Sequence, residues 1–251
     1  VGGVFNNAQE FTGANELNVN PAPSFNWSQD AEFSIEYWVR KSDMPSQNQV
    51  IIGRDDSSTA LHWWCGIRGG DGKVEFTLIN RDGSGGGSIT GTMNVTDGKW
   101  HHVVCVRGAI APENRLYVDG QLEGSFTDNN VYTSGFDSEV ALNIGWLNLS
   151  PFYHFSGELD EIALYDRSLT TDEIQQHFRA GRFGDLTGDN AVSTSDAIVG
   201  LKVLSGLDPV ELGEEWENDG YTQIGLDQVL YIMQKTAGIK MLKYQESEVV
   251  Q

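Results

Sequence analysis

Short segments between residues 5 and 165 alternate apolar and polar residues, a pattern that leaves few folds open to the chain. In the clearest segment, residues 33–40, Phe33, Ile35, Tyr37 and Val39 share one side of an extended chain. Similar segments run from Val74 to Ile79, Trp100 to Val106, Arg115 to Val118 and Val140 to Ile144. Successive side chains of a strand point to opposite faces, so this period predicts strands with one buried face. With no helical period between the segments, the chain is predicted to be mainly β, a two-sheet antiparallel sandwich.

A second informative stretch, residues 185–196 (DLTGDNAVSTSD), leads directly into an apolar helical pattern. Counted as a calcium loop, it places oxygen-bearing groups in ligand register: Asp185, Thr187, Asp189, the Ala191 carbonyl, Ser193 and Asp196. Calcium takes about six to eight oxygen ligands, so this register predicts a calcium site. The alternative is a polar loop in which Ser193 and Asp196 only cap the following helix.

A weaker copy of this loop follows 32 residues later, where Glu217 and Asp219 occupy the positions of Asp185 and Thr187. In this copy Tyr221 and Gln228 stand where a calcium loop carries acids. Loss of the last carboxylate weakens a calcium loop, so Glu217 and Asp219 are predicted to form at most a degenerate second site.

The first repeat and its helix, DLTGDNAVSTSDAIVGLKVLSG, resemble a type I dockerin, the duplicated loop-helix module that binds cohesin domains in calcium-dependent extracellular assemblies. The resemblance predicts a small α-helical domain with paired calcium loop-helix repeats at residues 182–240, followed by a tail at 241–251. It also implies partner-docking residues at equivalent positions of the two repeats: Thr194, Ser195, Leu226 and Asp227.

Four islands of the first part occur in the order and spacing of the laminin-G-like, or concanavalin A-like, jelly roll. They are residues 34–39, 97–104, 116–120 and 155–162. The resemblance predicts a jelly-roll sandwich over residues 1–181. It further implies a structural calcium held by Asp160 together with groups near Gly13 and Asn15. It specifies fold better than function, because such sandwiches include lectins, adhesion modules and hydrolases.

Glu158 and Asp160 invite a catalytic interpretation, because some concanavalin-like glycoside hydrolases carry paired carboxylates on one strand. Retaining hydrolysis needs two carboxyl groups on one face, about 5 Å apart. Here Ile162 and Ala163 stand where the last acid would be, so the set is incomplete. No catalytic residue is therefore assigned, and the protein is predicted not to be an enzyme.

Aromatic residues cluster at residues 62–64 and 146–154. Sugar rings stack their C–H faces on aromatic planes, so Trp64, Trp146 and Tyr153 are candidate glycan-binding residues. The alternative is that these rings belong to the core, where most aromatics of a sandwich lie.

Two cysteines, Cys65 and Cys105, lie in strand-like segments. They either form one disulfide between distant strands or remain two buried thiols, since pairing cannot be read from sequence. Neither lies in a metal-ligand spacing such as C-x-x-C.

The net charge is −20, from 36 acidic and 16 basic residues, which disfavours nucleic acid and anionic membranes as partners. No apolar run approaches the length of a membrane span, so no membrane insertion is expected. Together the patterns predict a secreted or cell-surface, non-enzymatic calcium-binding protein that acts in calcium-dependent assembly or adhesion, its partner being itself or a cohesin-like domain. The alternative is a carbohydrate-binding module docked to a scaffold through cohesin, and a glycoside hydrolase is the least favoured interpretation.

Overall fold

The computed structural model describes residues 1–5, 7–108, 113–127, 132, 134–188, 192–207 and 224–237. The chain divides into two compact units, Val1–Gly181 and Arg182–Gln251. The first unit is a sandwich of two antiparallel sheets, and the helices of the second unit follow it along the chain. The predicted mainly-β sandwich is thus confirmed, whereas the calcium loops of the predicted second domain remain a prediction.

Each sheet has six strands. The first sheet has the order β1-β12-β3-β8-β9-β10, comprising β1 (Gln9–Thr12), β12 (Ser156–Tyr165), β3 (Phe33–Arg40), β8 (Trp100–Arg107), β9 (Glu113–Val118) and β10 (Gln121–Thr127). The second has the order β2-β11-β4-β5-β6-β7, comprising β2 (Leu17–Val19), β11 (Leu142–Ile144), β4 (Gln49–Asp56), β5 (Leu61–Ile67), β6 (Lys73–Asn80) and β7 (Gly86–Asn94).

The core lies between the two sheets and contains the apolar side of the alternating pattern. Phe33, Ile35, Tyr37 and Val39 all lie in it and are fully buried, as their spacing predicts. A tight turn at Asp119 and Gly120 joins β9 to β10, and both residues have positive φ angles, 50° and 73°. Such angles at both central residues define the turn that matches the twist of a two-residue hairpin.

The sandwich ends in helix α1 (Thr171–Gly181). Thr170 and Glu173 cap its first turn reciprocally: the Thr170 Oγ1 accepts from the Glu173 backbone N–H at 3.2 Å, and the Glu173 Oε2 accepts from the Thr170 N–H at 2.9 Å. The helix buries Ile174 against Val104 and Val106 of β8. It therefore covers the outer face of the first sheet.

The second unit contains helices α2 (Thr194–Leu204) and α3 (Leu226–Thr236). They share a small core made of Leu186, Ala197, Val199, Ile224, Val229 and Ile232. Just beyond the end of α2, Gly206 has a φ of 78°, and the Leu207 N–H donates to the Lys202 carbonyl at 3.0 Å. Glycine favours this left-handed helix end because it has no Cβ. The predicted tail, residues 241–251, lies outside the described residues.

Candidate functional site

The outer face of the first sheet is occupied by the chain itself. Trp38 and Trp100 are 3% and 4% exposed there, in a cluster that also holds Val4 and Phe178 of α1. The Trp38 and Phe178 rings lie nearly parallel, with centroids 5.9 Å apart. A Cβ on Gly181 would lie 2.1 Å from the Trp38 ring, so the helix end approaches as closely as glycine allows.

Under the same helix, Glu36 is the centre of a polar network. Its carboxylate lies 2.6 Å from His102 Nε2, 2.9 Å from His177 Nδ1 and 2.7 Å from the Tyr165 hydroxyl. Burial alone would raise the pKa of Glu36, but hydrogen bonds and charge from these partners lower it. Burial and the bond to Glu36 raise the pKa of Tyr165. The network joins β3, β8 and β12 to the helix.

A cavity of about 200 Å³ lies beside this network, with Glu161 on its wall. Glu161 has a φ of 47°, at a bulge where the pairing of β12 with β3 shifts. Burial and the neighbouring charges of Asp160 and Glu36 raise the pKa of Glu161. Most polar side chains around this cavity are already paired with one another, as in a structural ion network.

The outer face of the second sheet carries the candidate ligand site. On β5, Trp63 and Cys65 point into the core, so His62 and Trp64 point outward. A cavity of about 120 Å³ opens beside Trp64. Its walls are mainly apolar (Val50, Trp64, Leu147, Leu149 and Tyr153), and Asn48 and His62 supply polar groups. Ligand pockets commonly combine an apolar lining with a few polar groups in this way.

The cover of this face is the loop 145–155, between β11 and β12. Backbone hydrogen bonds of 2.8 Å join the Val50 N–H to the Tyr153 carbonyl and the Gly145 N–H to the Ile51 carbonyl. Phe152 and Tyr153 have positive φ angles of 75° and 48°. Aromatic residues rarely adopt this conformation, which costs about 1–3 kcal/mol per residue and persists only where surrounding contacts impose it.

The loop carries an aromatic patch, which we define as Trp146, Phe152 and His154. The Trp146 ring stacks on His154 with centroids 6.3 Å apart and lies 6.2 Å from Phe152. The Trp146 Nε1 donates to Asn18 Oδ1 at 3.1 Å, which orients the indole. Phe152 is 47% exposed, and the other two rings are half-buried.

The three predicted glycan-binding residues thus lie in one region but differ in exposure. Trp64 is only 7% exposed and forms the cavity wall, Tyr153 is half-buried beside it, and Trp146 belongs to the aromatic patch. Phe152, which is more exposed than all three, was not singled out from the sequence. The preceding Ser-Pro pair is a turn signal that indicates an exposed loop tip.

The paired acids of β12 are both engaged. Glu158 forms an ion pair with Arg40. Asp160 is 7% exposed and accepts from the backbone N–H groups of Phe5 and Glu161, each at 3.0 Å. These contacts hold Glu158 and Asp160 as structural groups.

Asp160 does not lie with Gly13 and Asn15. The Gly13 N–H bonds the Phe155 carbonyl, five positions before Asp160 along the chain, and the Asn15 Oδ1 accepts from Thr12. Five strand residues span about 16 Å. The structure therefore does not bring this predicted calcium set together.

In the second unit, the first and last acids of the predicted calcium loop, Asp185 and Asp196, both contact Thr187. The Asp196 Oδ1 accepts from the Thr187 N–H and hydroxyl at 2.9 and 3.0 Å, and the Thr187 hydroxyl also lies 3.5 Å from Asp185. The Asp196 Oδ2 accepts from the N–H of Ser193 at 2.7 Å, completing a capping box for α2. Asp196 is fully buried. The capping alternative is therefore observed directly, and calcium binding by the same residues stays a prediction.

Several predicted residues of this unit lie outside the described part of the chain, namely Asp189, Ala191, Glu217, Asp219 and the side chain of Asp227. The predicted docking residues Thr194, Ser195 and Leu226 are exposed. They adjoin exposed apolar side chains that no sequence motif indicated: Ile198, Leu201, Leu204 and Leu207 on and after α2, and Leu230 and Met233 on α3.

Across the described ranges, no cluster of three or more His, Cys, Asp or Glu side chains is arranged to hold a metal ion. Within those same ranges, no helix combines the length and the apolar character that a membrane crossing requires.

The fold and its covering elements define the first unit as a two-sheet jelly-roll-like sandwich with an aromatic loop on one outer face. Residues 11–175 match the family model described as the concanavalin A-like lectin/glucanases superfamily. The chain belongs to this family, which confirms the predicted concanavalin A-like, laminin-G-like sandwich. No curated protein matches the chain in sequence.

Three solved structures illustrate the likeness. The binding domain of Paraclostridial Mosquitocidal Protein 1 has a TM-score of 0.60 and 17% identity, and the match covers 72% of this chain and 45% of that chain. The heptameric SAP-like pentraxin of Limulus polyphemus has a TM-score of 0.51 and 18% identity, covering 66% and 78%. The CBM40 of the Ruminococcus gnavus IT-sialidase, which has also been solved bound to α2,3-sialyllactose, has a TM-score of 0.51 and 13% identity, covering 65% and 98%. At these identities the likeness shows the fold alone.

Proposed function

We propose that the sandwich is a non-catalytic carbohydrate-binding domain whose ligand contacts the loop 145–155. The observation that carries the proposal is the combination of a partly apolar cavity beside Trp64 with the aromatic patch next to it. Aromatic rings offer flat apolar surfaces to the C–H faces of sugars, while Asn48 and His62 offer hydrogen-bonding groups for hydroxyls.

Two further features support binding at this loop. Its strained residues, Phe152 and Tyr153, are held by hydrogen bonds to β4 and within the loop, including one from the Phe152 N–H to the Leu149 carbonyl at 2.6 Å. A loop that is ordered before binding loses little conformational entropy when the ligand arrives. Phe152 is also 47% exposed, and it extends the aromatic patch of Trp146 and His154 into solvent.

Binding without hydrolysis is supported by the state of the candidate acids. Glu158 is paired with Arg40, and Asp160 is buried with two backbone donors, so neither is poised to act as a nucleophile or a proton donor. The glycoside hydrolase hypothesis would require turnover that is lost in Glu158→Gln.

A printed array of oligosaccharides tests the proposal, followed by calorimetric titration with the tightest-binding oligosaccharide. Phe152→Ala removes the most exposed ring and should weaken affinity about tenfold, which corresponds to about 1.4 kcal/mol. Leu122→Ala is the matched control, because Leu122 is 54% exposed on β10 of the other sheet. An array on which no oligosaccharide is bound, or equal losses in the two variants, would overturn the proposal.

We further propose that residues 182–240 form a calcium-dependent docking module of a secreted or cell-surface protein. Asp185, Thr187 and Asp196 already converge, and the sequence adds Asp189, Ser193 and the Ala191 carbonyl to the same loop. This all-oxygen donor set suits calcium. A bound ion would supply positive charge between the loop's carboxylates, and Ser193 and Asp196 would transmit the ordering to α2.

The exposed apolar residues of the two helices support docking to a protein. Ile198, Leu201 and Leu204 recur at three-residue spacing along α2, and Leu226, Leu230 and Met233 recur at helical spacing along α3. Exposed apolar rows of this kind mark interaction surfaces. The partner is either a second copy of this chain or a cohesin-like domain, and the particle size in calcium separates the two.

Light scattering in millimolar calcium, and again after chelation, tests this second proposal. Calcium should produce larger species that dissolve on chelation, and Asp185→Ala should abolish the change while the exposed-site control Asp172→Ala retains it. A monomer in calcium whose residues 183–240 gain protease resistance would instead favour an external, cohesin-like partner. If calcium alters neither particle size nor protease resistance, the calcium site itself is refuted.

A further inference from the structure

Two thiols face each other across the core of the sandwich. Cys65 lies on β5 of the second sheet and Cys105 on β8 of the first, and both are fully buried. Their Sγ atoms are 2.9 Å apart. Packed sheets are ordinarily about 10 Å apart, so the two short side chains meet only because the strands approach closely at this point.

We propose that Cys65 and Cys105 form a single disulfide that links the two sheets. The Sγ atoms need to approach by only about 0.9 Å to reach the length of an S–S bond. The strands that carry the two residues are each paired on both sides: Cys65 lies opposite Ile52 and Phe76, and Cys105 opposite Ile35 and Leu116. Bond formation therefore joins two central strands without disturbing a sheet edge.

The bond forms by thiol–disulfide exchange with an oxidised dithiol carrier, the class of oxidant present in secretory compartments. One cysteine thiolate attacks the carrier disulfide, and a mixed disulfide forms as the first carrier sulfur leaves. The second cysteine thiolate then displaces the remaining carrier sulfur. Cys65 and Cys105 together lose two protons and two electrons, and the carrier disulfide is reduced to a dithiol.

A neighbouring phenol suits the oxidised pair. The Tyr37 hydroxyl is fully buried and lies 3.0 Å from the Cys65 Sγ. In the reduced protein, the Tyr37 hydroxyl and the two thiols each carry one hydrogen. Only two contacts join these three atoms, so one of the three donors has no acceptor among them. After oxidation only the phenol keeps a hydrogen, which it donates to the Cys65 sulfur, so every remaining donor has an acceptor.

Burial determines when the exchange takes place. Burial in the core is the main cause that raises the pKa of Cys105, and the hydrogen bond and charge of Cys65 raise it further. The reactive thiolate of Cys105 is therefore scarce. The folded core also excludes a carrier. The bond is therefore made during folding, before the sheets close, and afterwards resists reductants unless the protein unfolds.

The full chain is produced by secretion through an oxidising compartment, and its intact mass is measured to test for the disulfide. The protein is unfolded in guanidinium with an alkylating reagent, with and without prior reduction. Without reductant, neither cysteine should be alkylated, and the mass should be two hydrogens below that calculated for the chain with two free thiols. With reductant, both should be alkylated, and peptide mapping of the unreduced protein should recover Cys65 joined to Cys105. Alkylation of both residues without reductant would overturn the proposal.

Thermal unfolding gives a second readout. Reduction under unfolding conditions, followed by refolding with the thiols kept reduced, should lower the Tm by about 10 °C because the bond closes a loop of about 40 residues. The double variant Cys65→Ala/Cys105→Val has no thiol and should give the same Tm with or without this treatment. A wild-type Tm that is insensitive to reduction would contradict the proposal, and the mass measurement stands even if the variant fails to fold.

Discussion

The two sheets of the sandwich share one core, but their outer faces are covered by different kinds of structure. Helix α1 lies on the first sheet, where it buries Trp38 and joins the Glu36 network through His177. The loop 145–155 lies on the second sheet, where it leaves a small cavity beside Trp64 and keeps Phe152 in solvent. The helix uses regular packing and paired charges, whereas the loop contains strained backbone and exposed rings.

Under the proposed carbohydrate-binding role of the loop 145–155, this difference separates stability from binding within one domain. Under the helix, hydrogen bonds to His102, Tyr165 and His177 offset the free-energy cost of burying the Glu36 carboxylate. The positive φ angles of Phe152 and Tyr153 cost stability, and natural proteins keep such costs chiefly where function requires them. Substitutions on the two faces should therefore have unequal effects on folding.

The largest expected difference is between two tryptophans. Trp38→Ala removes a ring that is 3% exposed under the helix and should lower the free energy of unfolding by about 3–5 kcal/mol. Trp146→Ala removes a half-buried ring of the loop and should cost only about 1 kcal/mol. Guanidinium unfolding at pH 7 measures both values, and equal losses would show that the loop is as important for folding as the helix.

An intermediate effect is expected at the centre of the helix-side network. Glu36→Gln replaces the carboxylate that His102, His177 and Tyr165 contact, and should cost about 2–3 kcal/mol at pH 7. Because the pKa of Glu36 is lowered from its usual 4.5, wild type should lose this contribution as the pH falls below about 4.5. Glu10→Gln, at an exposed site on β1, is the control and should change neither value.

The smallest effect, of opposite sign, is expected on the second sheet at Glu75. Burial raises the pKa of Glu75 above 4.5, so its contribution is present at low pH and is lost as the pH rises through the raised value. Glu75→Gln should therefore stabilise the protein at pH 7 by about 0.5 kcal/mol. The Thr77 hydroxyl, 3.2 Å from the Glu75 carboxylate, can still donate to the amide oxygen. Denaturant curves at pH 4 and pH 7 would refute the assignment if Glu75→Gln destabilised the protein at both.

The sandwich was predictable because strand patterns are local. The alternation from Phe33 to Val39 predicted which side chains enter the core. The hairpin turn at Asp119 and Gly120 depends on two adjacent residues with positive φ angles. The capping box of α1 at Thr170 and Glu173 is likewise local. Each of these features depends on residues within one segment of chain.

The site was less predictable because its residues meet through distant pairings. Trp64 is buried because a loop some 80 residues later lies over it, and no local pattern carries that information. Glu36 and His177 are separated by 141 residues. In the second unit the limit is chemical: Ser193 and Asp196 have the same positions in a capping box and in a calcium loop, so the pattern alone cannot separate the two roles.

The position of β12 in the first sheet has a consequence for synthesis. This strand lies between β1 and β3, and it pairs Leu159 with Gln9 on one side and with Val39 on the other. Pairings between such distant residues form slowly, and ribosomes add only about 5–20 residues per second. A growing chain therefore carries unpaired edges on β1 and β3, which invite association with other chains, for several seconds before β12 emerges. We therefore expect the first sheet to be completed only when β12 enters between its neighbours.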